Sequence, residues 1–351
     1  MPPTKLIEEV ISPAPVRTWR ELLIGDQFAL PSQTPEWTRA ACTIGGYRDA
    51  SVFVRYSSGL SVVLPMLERR LAPGIKQFGS MPFAWSMGGP VSVSVPSVDE
   101  LRQLFLLASS RGGISTTVSA NPLIYDVWAQ AAPPGALTIT KDWSLVQLDG
   151  GWPHVWESLF RPRARAKARR AVREGVTVKC DSSDSSVAIF HGLYAKSIER
   201  WAVREGEPAW LAQWRGRRRD PIEKFRAVAK AFGGNCKIWT AHLGDHPIAA
   251  IIVLTQGANA LYWRGAMDES RVRQSGASHL LQRLAIQAAC DSGCRFYHMG
   301  EAGSKSLSEF KRSFGASEYP FAEIRAERLP LTQGQALARA GVRRLLRLQD
   351  R

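Results

Sequence analysis

Cysteine is sparse in this chain and follows no pattern. Five occur in 351 residues, at Cys42, Cys180, Cys236, Cys290 and Cys294, an odd number without a repeating spacing. That argues against a disulfide framework and predicts thiols packed in a core. Cys290 and Cys294 would stand one helical turn apart, and His242 and His246 flank a turn. Neither pair has a second half at zinc-site spacing, so no metal site is expected. Long apolar runs are missing too, since none approaches the roughly 18 residues of a spanning helix. The opening stretch MPPTKLIEEV has acidic residues and no apolar signal core, and the expected location is the cytoplasm. There is no Gly-x-Ser-x-Gly elbow, no cysteine with a visible base, and no RNP1 sequence, zinc finger or KH loop.

Acidic residues are in the minority. Lys and Arg number 46 against 31 Asp and Glu, for a net charge of +15 and a pI near 10.0, and most of the cations are arginine. Arginine is the side chain best suited to phosphate, so polyanions are the first partners to suspect. With 45% hydrophobic and 22% charged residues, the chain reads as a folded globular protein long enough for two domains.

The order of elements is legible. TPEWTRAACTIG predicts a helix, and ASVFVRYSSGLSVVLPMLERR predicts a hairpin over Ser51 to Arg70 that turns at Ser57, Ser58 and Gly59. A Gly/Pro-rich loop, GSMPFAWSMGGPVSV, precedes a helix that starts at Ser97 and stops at Gly112, and two further strands follow. The second half repeats this order: a helix from Val155 to Glu174, the strand VTVKCD, a helix over SVAIFHGLYAKSIERWA, an Arg-rich stretch, and a hairpin from Lys237 to Gln256. A third strand NALYWRGAM, a helix from Ser278 to Cys290, the strand FYHMG, a short helix and a last strand complete it. The two hairpins hold comparable places, which suggests a duplicated α+β unit with a boundary near Gly150 and Gly151. Residues 1–150 and 151–332 are the expected domains, with 333–351 a basic C-terminal helix.

Three basic clusters stand out. RPRARAKARRAVR repeats Arg165, Arg169 and Arg173 every four residues beside a row of Ala164, Ala168 and Val172, so a helix there carries a cationic stripe, also containing Arg163, Lys167 and Arg170. Like charges four apart cost helix stability, and such a stripe is either tolerated because an anion meets it or is a solvated face. WRGRRRD adds Arg217 and Arg218 near Trp210 and Trp214, a mixture that suits RNA if the rings are exposed and is bland if the tryptophans are core. The third cluster, Arg339 to Arg351, is weak evidence alone.

ARAKARRAVREGVTV, FHGLYAKSIERW, ALYWRGAMDE, GCRFYHMGEAG and LSEFKRSFG, in this order, resemble the Fem-type (FemABX-like) aminoacyltransferases, a branch of the GCN5-related N-acetyltransferase (GNAT) superfamily with a duplicated acyltransferase domain. The likeness runs from about Thr34 to Glu327. It implies an α+β fold of two tandem GNAT-like domains, each a mostly antiparallel mixed sheet flanked by helices. It also implies transfer of an amino acid from aminoacyl-tRNA to an amine, with amide formation, on a peptidoglycan precursor or a natural-product intermediate. Phe310 and Lys311 match the family's Phe-Lys pair, linked there to transition-state stabilisation. Arg200 and the strand Tyr262, Trp263, Arg264 match its substrate-side segments. His298 stands where many members have aspartate, and the helical arm of some members is missing.

Elementary chemistry agrees. When an amine attacks an ester carbonyl, charge develops on oxygen, and a fixed cation in a water-poor site stabilises it. Lys311 fits, although it could be one more solvated cation. An acyl ester is already activated, so alignment and a proton acceptor suffice, with no cofactor beyond aminoacyl-tRNA as co-substrate. His298 and Glu301, flanking Gly300, are candidates for that base or ordinary loop polar residues. RQSGAS, Arg273 to Ser278, nearly matches the superfamily's pyrophosphate loop and keeps an acyl-CoA-dependent N-acyltransferase open as a rival. A non-catalytic RNA-binding protein is the third reading. Arg163, Arg165, Lys167, Arg169, Arg170, Arg217 and Arg218 are the expected tRNA contacts.

Overall fold

The computed structural model describes residues 6–328, without the side chains of Arg273 and Gln274. The expected basic helix at 333–351 lies outside the described residues. The strands are β1 (Ile7–Ile11), β2 (Arg48–Asp49), β3 (Val52–Tyr56), β4 (Ser61–Leu64), β5 (Leu67–Ala72), β6 (Ile75–Ser80), β7 (Ser115–Ser119), β8 (Leu137–Gln147), β9 (Val176–Asp181), β10 (Cys236–Leu243), β11 (His246–Gln256), β12 (Asn259–Met267), β13 (Phe296–Glu301) and β14 (Ser317–Glu327). The helices are α1 (Val16–Gly25), α2 (Pro35–Gly45), α3 (Val98–Ser109), α4 (Tyr125–Gln130), α5 (Gly151–His154), α6 (Pro162–Arg173), α7 (Asp184–Glu205), α8 (Ala209–Arg219), α9 (Ile222–Phe232), α10 (Glu269–Ser275), α11 (Ala277–Asp291) and α12 (Lys305–Arg312).

Eleven strands form one sheet in the order β2-β5-β6-β7-β14-β8-β13-β12-β11-β10-β9, and β1, β3 and β4 form a second. All pairs are antiparallel except β6 with β7 and β12 with β13. Each parallel pair follows a hairpin and is joined by helical crossover: β6 through α3 to β7, and β12 through α10 and α11 to β13. This is the expected α+β class, a mostly antiparallel mixed sheet flanked by helices, and the same order occurs in both halves. The halves also exchange edges. β8 lies against β13, while β14, from the end of the second half, inserts between β7 and β8.

Local chemistry sets the helix ends. Thr34 caps α2 by accepting the Trp37 N–H, with Pro35 in the first turn, and Ser97 and Glu100 form a reciprocal capping box on α3. Two expectations are corrected. The helix read from Val155 to Glu174 is broken: Val155–Leu159 is a π turn, Phe160 is extended, and Pro162 starts α6 afresh because it has no N–H to continue the earlier helix. The hairpin read over Ser51 to Arg70 ends at Leu64, where Pro65 stops pairing, and the chain then leaves for the larger sheet as β5.

Alternation along β11 and β12 gives the second half two cores. Ile252, Leu254 and Leu261 face α7 and α9, with Phe190, Leu193 and Phe225, whereas Ile251, Val253 and Ala260 face α6 and α11, with Ala164, Leu281 and Ile286. Helices on opposite faces therefore cannot present one continuous surface.

Candidate active site

The parallel pair β12·β13 is short. It registers only Asn259 with Phe296, Ala260 with Tyr297 and Leu261 with His298, although β12 continues to Met267 and β13 to Glu301. Beyond those pairs the strands part, and β13 bulges between His298 and Gly300 where it lies on β8. Gly300, at φ +83°, turns its carbonyl and that of Glu301 toward α12, a conformation that glycine adopts without a Cβ penalty.

Lys311 meets those carbonyls. Its side chain is buried, with the residue 3% exposed, and Nζ donates to Gly300 O at 3.3 Å and to Glu301 O. An ammonium has three N–H groups, so one remains uncommitted among the described residues. Burial pulls Lys311 down to about 8, while the Glu301 and Glu318 carboxylates pull the other way. α12 is clamped to β14 by Glu318, which accepts from Ser308 Oγ and, at 2.8 Å, from Arg312 Nη2.

Phe310 and Phe314 do enclose this corner, but as members of a ring cluster. Phe310 packs edge-on to Phe314 at 4.9 Å and to His279 at 5.2 Å, and Phe314 meets Phe160 at 5.3 Å. Phe160 in turn packs on Trp152 and Trp156. The Arg169 guanidinium lies 5.6 Å and that of Arg283 5.5 Å from the centre of a Trp156 ring. One continuous aromatic layer thus joins the Lys311 helix to the basic helix α6. His279, which the sequence alone did not single out, sits in that layer and is held neutral, at about 4, by burial and by Lys167.

The two base candidates fare differently. Glu301 is exposed at the mouth of the gap, 3.5 Å from Lys141 Nζ. His298 is fully buried, accepts from Trp143 Nε1 at 3.2 Å through Nδ1, and lies 3.0 Å from Asn259 Oδ1 through Nε2. Since Nδ1 accepts, Nε2 carries the proton and donates to Asn259. Burial holds the ring neutral, at about 3, and it has no nitrogen left for a substrate. His298 ties β8, β13 and β12 together at the root of the gap, and its expected role as base is set aside.

The substrate-side set divides. Tyr262 belongs to the face that carries Lys311, where burial pushes its hydroxyl up to about 12. Trp263 is on the opposite face, against Trp37 at 5.1 Å and Phe225 at 5.3 Å. Arg264 reaches Ala84 O at 3.0 Å and Asp220 at 3.5 Å. Arg200, on α7, lines an open depression with Val203, Arg204 and Glu269, and pairs with Glu269 at 3.5 Å.

The cationic stripe is unevenly committed. Arg163 and Lys167 are exposed, Arg165 donates to the carbonyls of Trp156 and Glu157, and Arg170 pairs with Glu174 at 2.5 Å. The buried row of α6 is Ala164, Ala168 and Ala171, spaced by the helical period, and Val172 points to solvent. Arg217 and Arg218 are on α8, which packs on α7, the other face of the sheet. Trp210 and Trp214 are exposed there, so of the two alternatives left open for them the core one does not hold.

RQSGAS is at the start of a helix, as expected, with Gly276 at φ +68°. That start is closed over: Ala277 is fully buried, its N–H goes to Ser275 Oγ at 3.3 Å, and a Cβ at Gly276 would lie 2.5 Å from the Lys167 carbonyl oxygen of α6. No grouping of three or more His, Cys, Asp or Glu able to hold a metal occurs among the described residues.

A second centre escaped sequence reading. Asp220 and Lys224, four apart across the start of α9, are buried together at 2.8 Å. Asp220 also accepts from Tyr194 OH and Arg219 Nε, each at 2.8 Å, and Lys224 Nζ donates to Ala84 O at 2.7 Å. The signal was a Lys and an Asp one helical turn apart in an otherwise apolar helix face.

The site is thus a splayed parallel pair in a mostly antiparallel sheet, with a buried lysine at its open end, and the comparisons bear on the fold that carries it. Residues 158–312, from the turn before α6 to the end of α12, match the family described as the acetyltransferase (GNAT) domain. Among solved structures, FemX superposes with a TM-score of 0.64 at 12% identity, covering 90% of this chain and 97% of that one. A conserved protein of unknown function from Bacteroides thetaiotaomicron gives 0.55 at 10% identity, with coverages of 92% and 99%. L-PGS from Bacillus licheniformis gives 0.50 at 12% identity, with coverages of 90% and 97%. No curated protein matches the chain. The chain has a GNAT-like acyltransferase fold.

Proposed function

We propose that this protein is an N-aminoacyltransferase that moves an amino acid from aminoacyl-tRNA to an amine acceptor. The observation that carries the reading is Lys311: a buried ammonium with two N–H groups spent on backbone carbonyls, one uncommitted, and an aromatic layer leading from it to a basic helix. The amine nitrogen attacks the ester carbonyl carbon, the carbonyl oxygen becomes an oxyanion, and the uncommitted N–H of Lys311 stabilises it. Glu301 at the mouth, the nominee for the base, takes the proton that the amine loses, collapse breaks the bond to the ribose oxygen, and that same proton passes from Glu301 to the departing ribose oxygen. Arg163, Lys167 and Arg169 dock the tRNA backbone, with Arg165 and Arg170 shaping that face.

The closed start of α11 favours this donor over acyl-CoA, because a pyrophosphate needs backbone N–H groups that point into an open space. The Fem-type resemblance and the FemX-like fold point the same way. The acceptor is an amine on a peptidoglycan precursor or a natural-product intermediate.

The test is a titration of the protein with mixed charged tRNA and with acetyl-CoA at two salt concentrations. Binding to tRNA that falls steeply with salt, and less steeply in an R163E/K167E variant, is expected. Tight acetyl-CoA binding with weak tRNA binding overturns the reading, and tRNA binding with no transfer activity that K311A could diminish leaves an RNA-binding protein.

A further inference from the structure

α8 is built with its small residues inside and its large ones outside. Ala212 and Gly216 face α7, where a Cβ at Gly216 would come 2.5 Å from Ile198 Cδ1, and Gln213 bonds Glu199 at 2.6 Å across the same seam. Trp210 and Trp214, four apart and so on one row, are 70% and 53% exposed, and Arg217 and Arg218 extend that row by one turn. On α7, Val203 follows Glu199 by one turn and is 78% exposed. Phe83 is 86% exposed beside Ala84, whose carbonyl shares the Lys224 ammonium with Arg219 O at the end of α8. Trp210 and Trp214 form with Arg217 and Arg218 one row of exposed rings and cations, and Val203 and Phe83 are exposed on the same side of the sheet. This rim of the α7–α8 face leaves large apolar groups in water beside positive charge, a composition that marks a surface with a partner.

We propose that this rim is a membrane-docking surface that seats the protein on an anionic lipid bilayer. Tryptophan suits the headgroup level, with an apolar body and an indole N–H for water, and arginines beside it attract anionic lipids. RNA is the weaker fit. Val203 cannot stack on a base, and one tryptophan ring is already taken, with the Arg218 guanidinium 4.9 Å from the Trp214 centroid. The rim is also on the α7 face of the sheet, opposite α6 and Lys311, so a nucleic acid lying along α6 leaves it free. No helix among the described residues is long and apolar enough to cross a membrane, so the contact is peripheral. The proposal does not depend on the identity of the acyl donor.

The experiment is co-sedimentation of the full chain with vesicles of phosphatidylcholine alone and of equal parts phosphatidylcholine and phosphatidylglycerol. Tryptophan emission, charged-tRNA binding and thermal melting are measured alongside. Wild-type protein is expected to sediment with the anionic vesicles only, with a blue shift of its emission. W210S/W214S and, separately, R217Q/R218Q should each weaken that binding by about tenfold or more while melting like wild type. W210S/W214S should keep its tRNA affinity. Absence of binding to anionic vesicles overturns the proposal, as does undiminished vesicle binding by both variants. Loss of tRNA affinity by W210S/W214S with vesicle binding intact overturns it in favour of an RNA-stacking surface.

Discussion

Asp220 and Lys224 make an unequal pair, and mutating each in turn exposes the inequality. The Asp220 carboxylate is the one anion for three cations, held at 2.8 Å by Lys224 and Arg219 and at 3.5 Å by Arg264. D220A leaves the Lys224 ammonium, 1% exposed, without its counter-charge, a change that costs about 3–5 kcal/mol. K224M leaves a satisfied aspartate, since Tyr194, Arg219 and Arg264 remain, and Ala84 O keeps its bond from Arg264 at 3.0 Å. A methionine of similar length is therefore expected to cost less than about 1.5 kcal/mol. Proton linkage gives a second reading of the same site. Burial pulls Lys224 down to about 8 in the folded protein, against 10.5 for the free side chain. Between those values the unfolded chain binds more protons than the folded one, so stability rises with pH across that window, by an amount on the order of 3 kcal/mol. K224M lacks this contribution. Urea unfolding followed by far-UV circular dichroism, at pH 7 and pH 10, yields both differences. Equal losses in D220A and K224M, or parallel pH dependence in wild type and K224M, would refute the reasoning.

Three further outcomes are expected. K311M should lower kcat by about 100-fold or more with little change in KM, and wild-type rate should fall as pH rises through about 8, where the buried ammonium loses its proton; a rate still climbing past pH 9 counts against a cationic Lys311. H298F should lower stability by about 1–3 kcal/mol, because Trp143 Nε1 loses its acceptor, yet keep the shape of the pH–rate profile; loss of an acidic limb would restore His298 as a base. G276A combines a left-handed φ of +68° with a Cβ 2.5 Å from Lys167 O, so it should destabilise the protein by more than about 2 kcal/mol, read by thermal melting, and a neutral result would mean that α6 and α11 do not pack so closely.

Period and turn chemistry were enough to find the two hairpins, the capped helices α2 and α3, and the repeated order of elements, because those signals are local. The same locality explains the misses. Nothing near Pro65 says that β5 will leave for another sheet, and a helix reading of 155–174 passes over Pro162 because its flanks are helical on both sides. Lys311 was nominated mainly by the likeness of LSEFKRSFG to the Fem-type Phe-Lys motif, and the cationic stripe was legible through its spacing.

By itself the sequence determined the α+β class, the excess of arginine and the spacing of the basic helix, since composition and period carry that information, while Lys311 was nominated by the likeness of its segment to a family motif. Only the tertiary structure decided which nominees share a face. Side-chain alternation in β11 and β12 leaves α6 and Lys311 on one side and α8 and Trp263 on the other, and a bulge in the ladder opposite Ile252 and Val253 turns Arg264 to that second side as well. Burial and partners then decided chemistry: His298 lost its lone pair to Trp143, while Asp220 gained three cations from α8, α9 and β12. Such pairings join residues far apart in the chain, and contact between them exists only once the sheet has brought them together.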